Sequence, residues 1–561
     1  MNKFFSSKVE KTLEALANEI YKIVYTEKEW YYGECGYKGE KYIPDASLAT
    51  ELKVAPFECS GYDTHFIVSN TLDIPKAGEG NETVLRIKTG REGQWDSLNP
   101  QFILYVDGKM VQGMDVNHTE SVIDSGKHDI LVYGYTGMRL DDQTFPFSID
   151  ICEISKLCEK VWYDIRIAHE CFKNLSEHSL EKANLYRSLE CTMNMIDLSA
   201  IGSKGFYESL AAASEYMDKN IFCGTKSGVE VYQIGHTHID VAWLWTLAQT
   251  EEKAQRSFAT VIKFMEQYPD YIFMSSQPQL YKYVKNAAPE LYEKIKQAVK
   301  DKRWEPEGAM WLEADCNITS GESFVRQIIH GKDFFKNEFG TDSHILWLPD
   351  VFGYSAALPQ ILKKCGVDTF VTSKIGWNES NKMPYDAFMW EGIDGSEIFT
   401  YFMTACNKRS EYNTQWMTTY VASTIPSMAI GAWERFQQKE YSNKALVTFG
   451  RGDGGGGPTK DDLEFAKRLT RGVDGIPQYK LRRAGEFLEK PRADFDKNSA
   501  LLKKKPRWVG ELYLEFHRGT YTSIAKLKKQ MRKNEILLRK DEALSSTASI
   551  LLGTPYPAKE L

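Results

Sequence analysis

The sequence predicts a multidomain α/β protein with an N-terminal β-rich domain, a seven-stranded parallel β/α barrel-like domain, and a long C-terminal helix. Three observations predict it. The chain has 561 residues, of which 42% are hydrophobic, more than one ordinary domain accommodates. From about 50 to 155 it runs in short alternating stretches such as "ETVLRIKTG", "PQFILYVDGKMVQG" and "HDILVYGYTG", broken by Gly, Asp and Asn. After residue 228, short β-type runs alternate with longer amphipathic segments, the pattern of strands joined by helical crossovers.

In chain order, residues 1–45 begin with a helical pattern and end in the aromatic stretch "WYYGECGYKGEKY". Residues 46–155 form a β-sandwich-like domain, because alternation of apolar and polar residues suits sheets with one face buried. Residues 156–227, including "LEKANLYRSLECTMNMIDL", carry helical periodicity. In 228–490 the expected strands are "VEVYQIG", "YIFMSS", "RWEPEGAM", "HILWLPD", "DTFVTS", "EIFTYFM" and "ALVTFG", with helix-like segments such as "GESFVRQIIHGKDFFKNEFG" between several of them. In such folds chemistry collects where strands end and loops begin. Residues 491–561 contain the helix "TSIAKLKKQMRKNEILLRKDEALSS", on which Ile524, Leu527, Met531 and Leu538 share a face that wants a partner.

Composition excludes several classes of function. The net charge of −7 is mild, and the 70 basic residues are scattered rather than gathered into a stripe, so neither nucleic acid nor an anionic membrane is expected as a partner. The ten cysteines form no CxxC pair, which points to reduced thiols. The N-terminus lacks a signal-peptide apolar region, and no apolar run approaches the roughly 20 residues of a membrane span, so a soluble, cytoplasmic protein is expected.

Five stretches carry chemistry. In "GHTHIDVAWLW" an extended backbone puts His236, His238 and Asp240 on one face, and imidazole nitrogen beside carboxylate oxygen is a ligand set that suits zinc. Spacing alone does not choose between the two histidines, and either can instead hydrogen-bond the loop. In "LWLPDVFGYSAALPQIL" an apolar strand delivers Asp350 to its C-terminal edge, where a carboxylate can ligate a metal, act as a nucleophile, or merely cap the next helix. In "VTFGRGDGGGGPTKDDL" four glycines follow Asp453, but Pro458 stands where a phosphate loop needs lysine, leaving a backbone that approaches a ligand closely and holds Asp453 against it. "WVGELYLEFHRGTYTS" sets His517 beside Arg518 on a segment whose alternation looks extended, where a core histidine is the ordinary reading. "EGAMWLEADCNITSGES" combines Trp311, Glu313, Asp315 and Asn317, a flat apolar surface with acceptors that suits sugar hydroxyls, and Trp243, Trp245 and Trp377 offer further stacking surfaces where they are not packing residues.

In order and spacing these motifs resemble glycoside hydrolase family 38, the retaining zinc-dependent α-mannosidases, in its cytosolic and bacterial branch. "GHTHIDVAWLW", "WLPDVFGYSAALPQIL", "FGRGDGGGGPT" and "GELYLEFHRGTYTS" carry the resemblance, and "LYVDGKMVQGMDVNH" looks like that branch's N-terminal β domain. The resemblance implies that residues 228–490 are the catalytic domain and that the last helix is the start of a helical bundle. It implies one zinc ion per chain held by His238, Asp240, Asp350 and His517, with His236 supporting them. It makes Asp350 also the catalytic nucleophile and Asp453 the general acid/base, and has Trp243, Trp311, Glu313, Asp315, Asn317 and Arg518 line the sugar site. The implied substrate is a mannose-containing oligosaccharide, cleaved through a covalent mannosyl-aspartate; a homo-oligomer is left open. Family members continue past the point where this chain ends, so either a C-terminally truncated product or a remainder supplied elsewhere is expected.

Two other readings stand beside this one. A metal-dependent amidohydrolase or deacetylase also uses His-x-His at a strand end, but needs further strand-end histidines, and His118, His178 and His330 are poorly placed for that. A mannose-binding relative, catalytically weak or inactive because it is truncated, is the other, although Asp350 and Asp453 are both intact.

Overall fold

The structure is a computed structural model that describes residues 4–35, 45–141, 143–409 and 417–558. Residues 36–44, which include the end of the aromatic stretch, lie outside the described residues. The chain divides into two compact units. One comprises residues 1–275, 279–306 and 403–502, and the other residues 276–278, 307–402 and 503–561.

The first unit opens with the helix Phe5–Ile20, which buries Phe5, Val9, Leu16 and Ile20 along one face. The expected β domain follows as two antiparallel sheets. Thr144–Ser155 pairs with Tyr21–Thr26, Asn81–Lys88 and Phe57–Ser60 in one sheet, and His65–Ile74, Gly126–Tyr135, Gln101–Val106 and Lys109–Asp115 run side by side in the other. Their inner faces share a core that includes Trp30, Phe66, Phe102, Leu104, Leu85, Phe147 and Ile149. The start of the aromatic stretch is itself the strand Glu29–Cys35 of the second sheet. Three helices come next, Lys156–Asn174, Leu180–Met195 and Lys204–Asn220, each capped at its N-terminus by a serine side chain.

All seven runs expected to be strands after residue 228 are strands, but they do not form one seven-stranded sheet. In the first unit Trp304–Pro306, Phe273–Ser275, Glu230–His236 and Lys444–Phe449 lie side by side in parallel, and Gln478–Leu481 also pairs with Glu230–His236. In the second unit Ile345–Trp347, Thr369–Thr372 and Glu397–Phe402 are parallel neighbours; Ala387–Glu391 adds antiparallel to the last of these, and Arg507–Val509 adds beyond it. Among the described residues the pairings thus form two five-stranded sheets, and they do not establish the seven-stranded barrel expected from the sequence. The reason is physical: apolar content identifies a buried strand, whereas its neighbours are chosen by backbone pairing that leaves no mark in a run of three to seven residues.

Each sheet has its own core. Val231, Ala445, Val447 and Tyr479 of the first pack with Val161, Ile165, Leu189 and Phe206 of the helices. Leu346, Phe370, Trp390, Ile398 and Phe402 of the second pack with Phe324, Ile328, Leu358 and Leu362. The terminal helix Ala525–Leu552 buries only Glu535, which accepts hydrogen bonds from the Ser320 backbone N–H (2.9 Å) and the Ser323 hydroxyl (2.8 Å). Leu527, Met531 and Leu538, and Ile524 just before the helix, are exposed. The ten cysteines are all free thiols. Among the described residues no helix is long and apolar enough to cross a membrane.

Candidate active site

In the first unit the parallel strands Glu230–His236 and Lys444–Phe449 are in register from Glu230 opposite Lys444 to Gly235 opposite Phe449, so their C-terminal ends finish together. The chain leaving the first strand carries His236, His238 and Asp240; the chain leaving the second carries Arg451 to Gly457. The two segments stay joined, since the Asp240 N–H donates to the Asp453 carbonyl (2.9 Å) and the Thr237 hydroxyl to the Arg451 carbonyl (2.9 Å). His238, Asp240 and Asp453 each offer a ligand atom, and these atoms lie within 4.8 Å of one another. One imidazole and two carboxylates at that spacing fit a single divalent cation of the zinc type. Asp453 thus reaches the same small volume as His238 and Asp240.

The alternation of the first motif divides its histidines by environment. His236 is buried, and burial, helped by the charge of His238, pushes its pKa down to about 3, so it stays neutral. His238 is also buried, its Nε2 3.4 Å from Asp240 Oδ1, and its ring meets that of Tyr420 edge-on at 5.3 Å. The Tyr420 hydroxyl donates to Asp453 Oδ1 (3.0 Å). Sequence reasoning passed over Tyr420, which stands alone in its stretch with no partner at a recognisable spacing.

Asp453 has φ +58, a left-handed conformation uncommon for a residue with a side chain, and its surroundings hold it there. Arg256 Nη2 donates to the Gly454 carbonyl (2.7 Å), and the Gly456 N–H donates to the Ser257 hydroxyl (2.8 Å). The glycines permit the close approach. A Cβ on Gly455 would stand 2.3 Å from Ser257 Oγ, and one on Gly454 3.1 Å from Ser97 Cα. Arg256 is in turn paired with Asp115 of the β domain. His118 Nδ1 lies 2.9 Å from Asp115 Oδ1, and its Nε2 3.0 Å from the Pro458 carbonyl. Acceptors at both ring nitrogens favour the doubly protonated His118: burial disfavours the charge, but Asp115 more than offsets it and raises the pKa. Burial likewise pushes the Asp115 carboxyl up, but His118 and Arg256 outweigh it and hold the pKa well below the usual range. The β domain thus fixes the backbone that presents Asp453, through Asp115 and His118 at the end of the stretch "LYVDGKMVQGMDVNH".

In the second unit the strand Ile345–Trp347 leads to Asp350, whose carboxylate meets the Lys374 ammonium at 2.7 Å. That ammonium sits 3.5 Å from the centre of the Trp377 ring. His517 does not lie on an extended strand. It has φ +63 and caps the short helix Arg518–Tyr521, although Leu512 and Leu514 before it are buried in the alternation the sequence suggested. Its ring packs edge-on against Phe352 (5.3 Å) and Trp377 (6.1 Å). Burial and the Lys374 charge lower its pKa, with Asp350 opposing, so the imidazole is neutral and able to bind a metal.

The sugar-lining candidates of this unit divide by what holds them. Asn317 donates to the Gly353 carbonyl (3.1 Å) and contacts the Tyr521 hydroxyl, which places it beside the loop that follows Asp350. The Arg518 guanidinium lies between the rings of Tyr513 (4.5 Å) and Tyr521 (4.9 Å). Asp315 accepts from the N–H groups of Asn317 (3.0 Å) and Ile318 (2.8 Å), so its carboxylate closes a turn. Trp311 packs edge-on to Phe334 at 5.7 Å, and the Glu313 N–H donates to Gln277 (3.2 Å). In the first unit Trp243 is 51% exposed.

A strand-end group of histidine and aspartates with metal-binding geometry is the arrangement of a metal-assisted hydrolase. Residues 228–511 match the N-terminal domain of glycosyl hydrolases family 38, and the chain belongs to that family. It is 33% identical over 470 residues to alpha-mannosidase G of Dictyostelium discoideum (82% of this chain, 40% of the relative). It is 39% identical over 352 residues to human alpha-mannosidase 2C1 (63% and 32%), and 37% identical over 338 residues to the Saccharomyces cerevisiae alpha-mannosidase (59% and 30%). The chain spans 40% or less of the length of these relatives.

Proposed function

We propose that the chain carries the catalytic machinery of a retaining, zinc-dependent α-mannosidase that removes terminal α-D-mannosyl residues from oligosaccharides. The observation that carries the reading is the joining of His238, Asp240 and Asp453 at the C-terminal ends of two neighbouring parallel strands, inside the segment that matches family 38. His238, Asp240, Asp350 and His517 would hold one zinc ion, which when bound supplies a positive charge for the sugar's hydroxyls and favours carboxylate over carboxyl at Asp350.

The chain's own groups then divide the chemistry. An oxygen of Asp350 attacks the anomeric carbon, and the bond from that carbon to the leaving oxygen breaks as Asp453 passes its proton to that oxygen. Water then attacks the same carbon, Asp453 takes its proton, and the bond to Asp350 breaks to release mannose with retained configuration and restore both side chains. The neutral His236 supports the backbone of His238, and Trp243, Trp311, Glu313, Asp315, Asn317 and Arg518 bind the ring and its hydroxyls. A cytoplasmic location fits the branch whose motifs the chain shares.

The test is release of the aryl group from an aryl α-D-mannoside by this chain, before chelation, after it, and after zinc is restored. Turnover that is lost and regained supports the reading; turnover unaffected by chelation refutes the metal's part, and none in any condition refutes the activity at this length.

A further inference from the structure

We propose that Trp95 of the β domain, with the groove beside it, is a subsite for the sugar on the leaving-group side of the scissile bond. The proposal rests on the reading of Asp453 as the general acid. An acid that protonates the glycosidic oxygen must come within hydrogen-bond reach of it, so surfaces flanking the acid's loop face the departing sugar.

In the first unit such a surface is built from two segments. The β-domain loop enters at Ser97, whose Cα would meet a Cβ on Gly454, next to Asp453, at 3.1 Å. Two residues earlier it displays Trp95, 49% exposed and edge-on to Trp243 at 6.0 Å. Trp243 lies in the turn after Asp240, a turn held by the Trp245 indole N–H on the Asp240 carbonyl (3.1 Å). Beside Trp95 runs a groove of about 490 Å³ lined by Trp95, Leu244, Tyr62, Asn99, Gln94 and Arg139.

The chemistry of that lining selects the occupant. A pyranose has an apolar C–H face that stacks on an indole and a rim of hydroxyls that needs amide and guanidinium partners; the groove offers both. Its floor is preorganised. Asn99 Nδ2 donates to the Trp95 carbonyl (2.6 Å), Gln101 to the Asp96 carbonyl (3.1 Å), and Arg139 Nη1 to Gln94 Oε1 (2.8 Å), while Asp96 and Ser97 are buried. A half-exposed tryptophan on a loop anchored this firmly loses little freedom when a sugar stacks on it. The occupant is a second hexose of an oligosaccharide, so the site prefers substrates of two or more sugars over small glycosides.

The test compares α-mannobiose with α-D-mannosyl fluoride, whose leaving group is too small to reach Trp95. In Trp95→Ala, kcat/KM for mannobiose should fall at least tenfold, chiefly through KM, with mannosyl fluoride hydrolysis within twofold of wild type. Trp95→Phe should recover part of the loss, and Arg139→Ala should show a smaller loss with the same selectivity. Equal losses on both substrates, or none on mannobiose, overturn the subsite. If wild type cleaves neither substrate, the mannosidase reading fails, and calorimetric titration with mannobiose and mannose decides separately. Tighter binding of mannobiose by wild type but not by Trp95→Ala supports the subsite, and equal binding of both sugars by wild type overturns it.

Discussion

The loops of Asp350 and Asp453 both leave the C-terminal end of a parallel strand, yet they are built in opposite ways. Asp350 follows a short buried strand and lies against a cation, Lys374, at 2.7 Å. Asp453 stands in a left-handed conformation ahead of four glycines, takes a hydroxyl from Tyr420, and rides on a backbone held by Arg256, Ser257 and Ser97. In the proposed mechanism, a cation at the carboxylate suits an anion that attacks, whereas a neutral hydroxyl at the carboxylate and a clamped backbone suit accurate placement of a group that gives and takes a proton. The difference teaches that one aspartate is specified by charge and the other by position.

That contrast can be broken by mutation. The largest effect is expected at Asp350→Ala, where loss of the proposed nucleophile should lower kcat on an aryl α-mannoside by about 10³-fold or more. Asp453→Asn should cost roughly 10²- to 10⁴-fold on poor leaving groups and far less on good ones, because an activated leaving group needs no proton. Equal loss across a leaving-group series would deny Asp453 the acid's role. Arg256→Lys keeps a cation for Asp115 but lacks the fork that reaches the Gly454 carbonyl. A loss of about tenfold to 10²-fold is expected, again concentrated on poor leaving groups and with zinc content unchanged, since misplacement by about 1 Å costs on that order.

The smallest effect sharpens the account of how the β domain is joined to the helix Leu247–Gln267 that carries Arg256. His65 lies between Tyr133 (2.7 Å) and Gln249 (2.8 Å), and burial, aided by the Lys253 charge, lowers its pKa to about 3. The unfolded chain therefore binds a proton at His65 below its ordinary pKa of about 6.5 that the folded chain refuses down to about 3. Stability should fall as pH drops through that window, by at most about 1.4 kcal/mol per pH unit from this group. Denaturant unfolding from pH 7 to 4 should show a shallower pH dependence in His65→Asn than in wild type; identical slopes would mean that His65 titrates normally.

The sequence showed what neighbouring residues can show. Seven apolar runs announced seven strands, and the motifs around His238, Asp350 and Asp453 announced strand ends, because alternation and glycine clustering are local. The division into two sheets was not legible, and Gln478–Leu481 and Arg507–Val509 went unread because short strands are completed by pairing with distant partners, whereas Ala387–Glu391 went unread although its antiparallel partner Glu397–Phe402 follows directly after a turn. The same holds at the site. Arg256 meets Asp115 across 141 positions and Gly454 across 198, and His118 meets Pro458 across 340, distances over which no spacing rule reaches. His118, read from the sequence as poorly placed for a metal, is instead part of the clamp on the Asp453 loop.

The most direct test of the division of labour is trapping with 5-fluoro-α-D-mannosyl fluoride, in which the ring fluorine slows the second step while the fluoride leaving group needs no acid. The account predicts a single covalent adduct that peptide mapping places on Asp350, formed as readily in Asp453→Asn as in wild type. An adduct on Asp453, or wild-type protein that hydrolyses an ordinary aryl α-mannoside with inversion of configuration and forms no adduct with the fluorinated reagent, would contradict it.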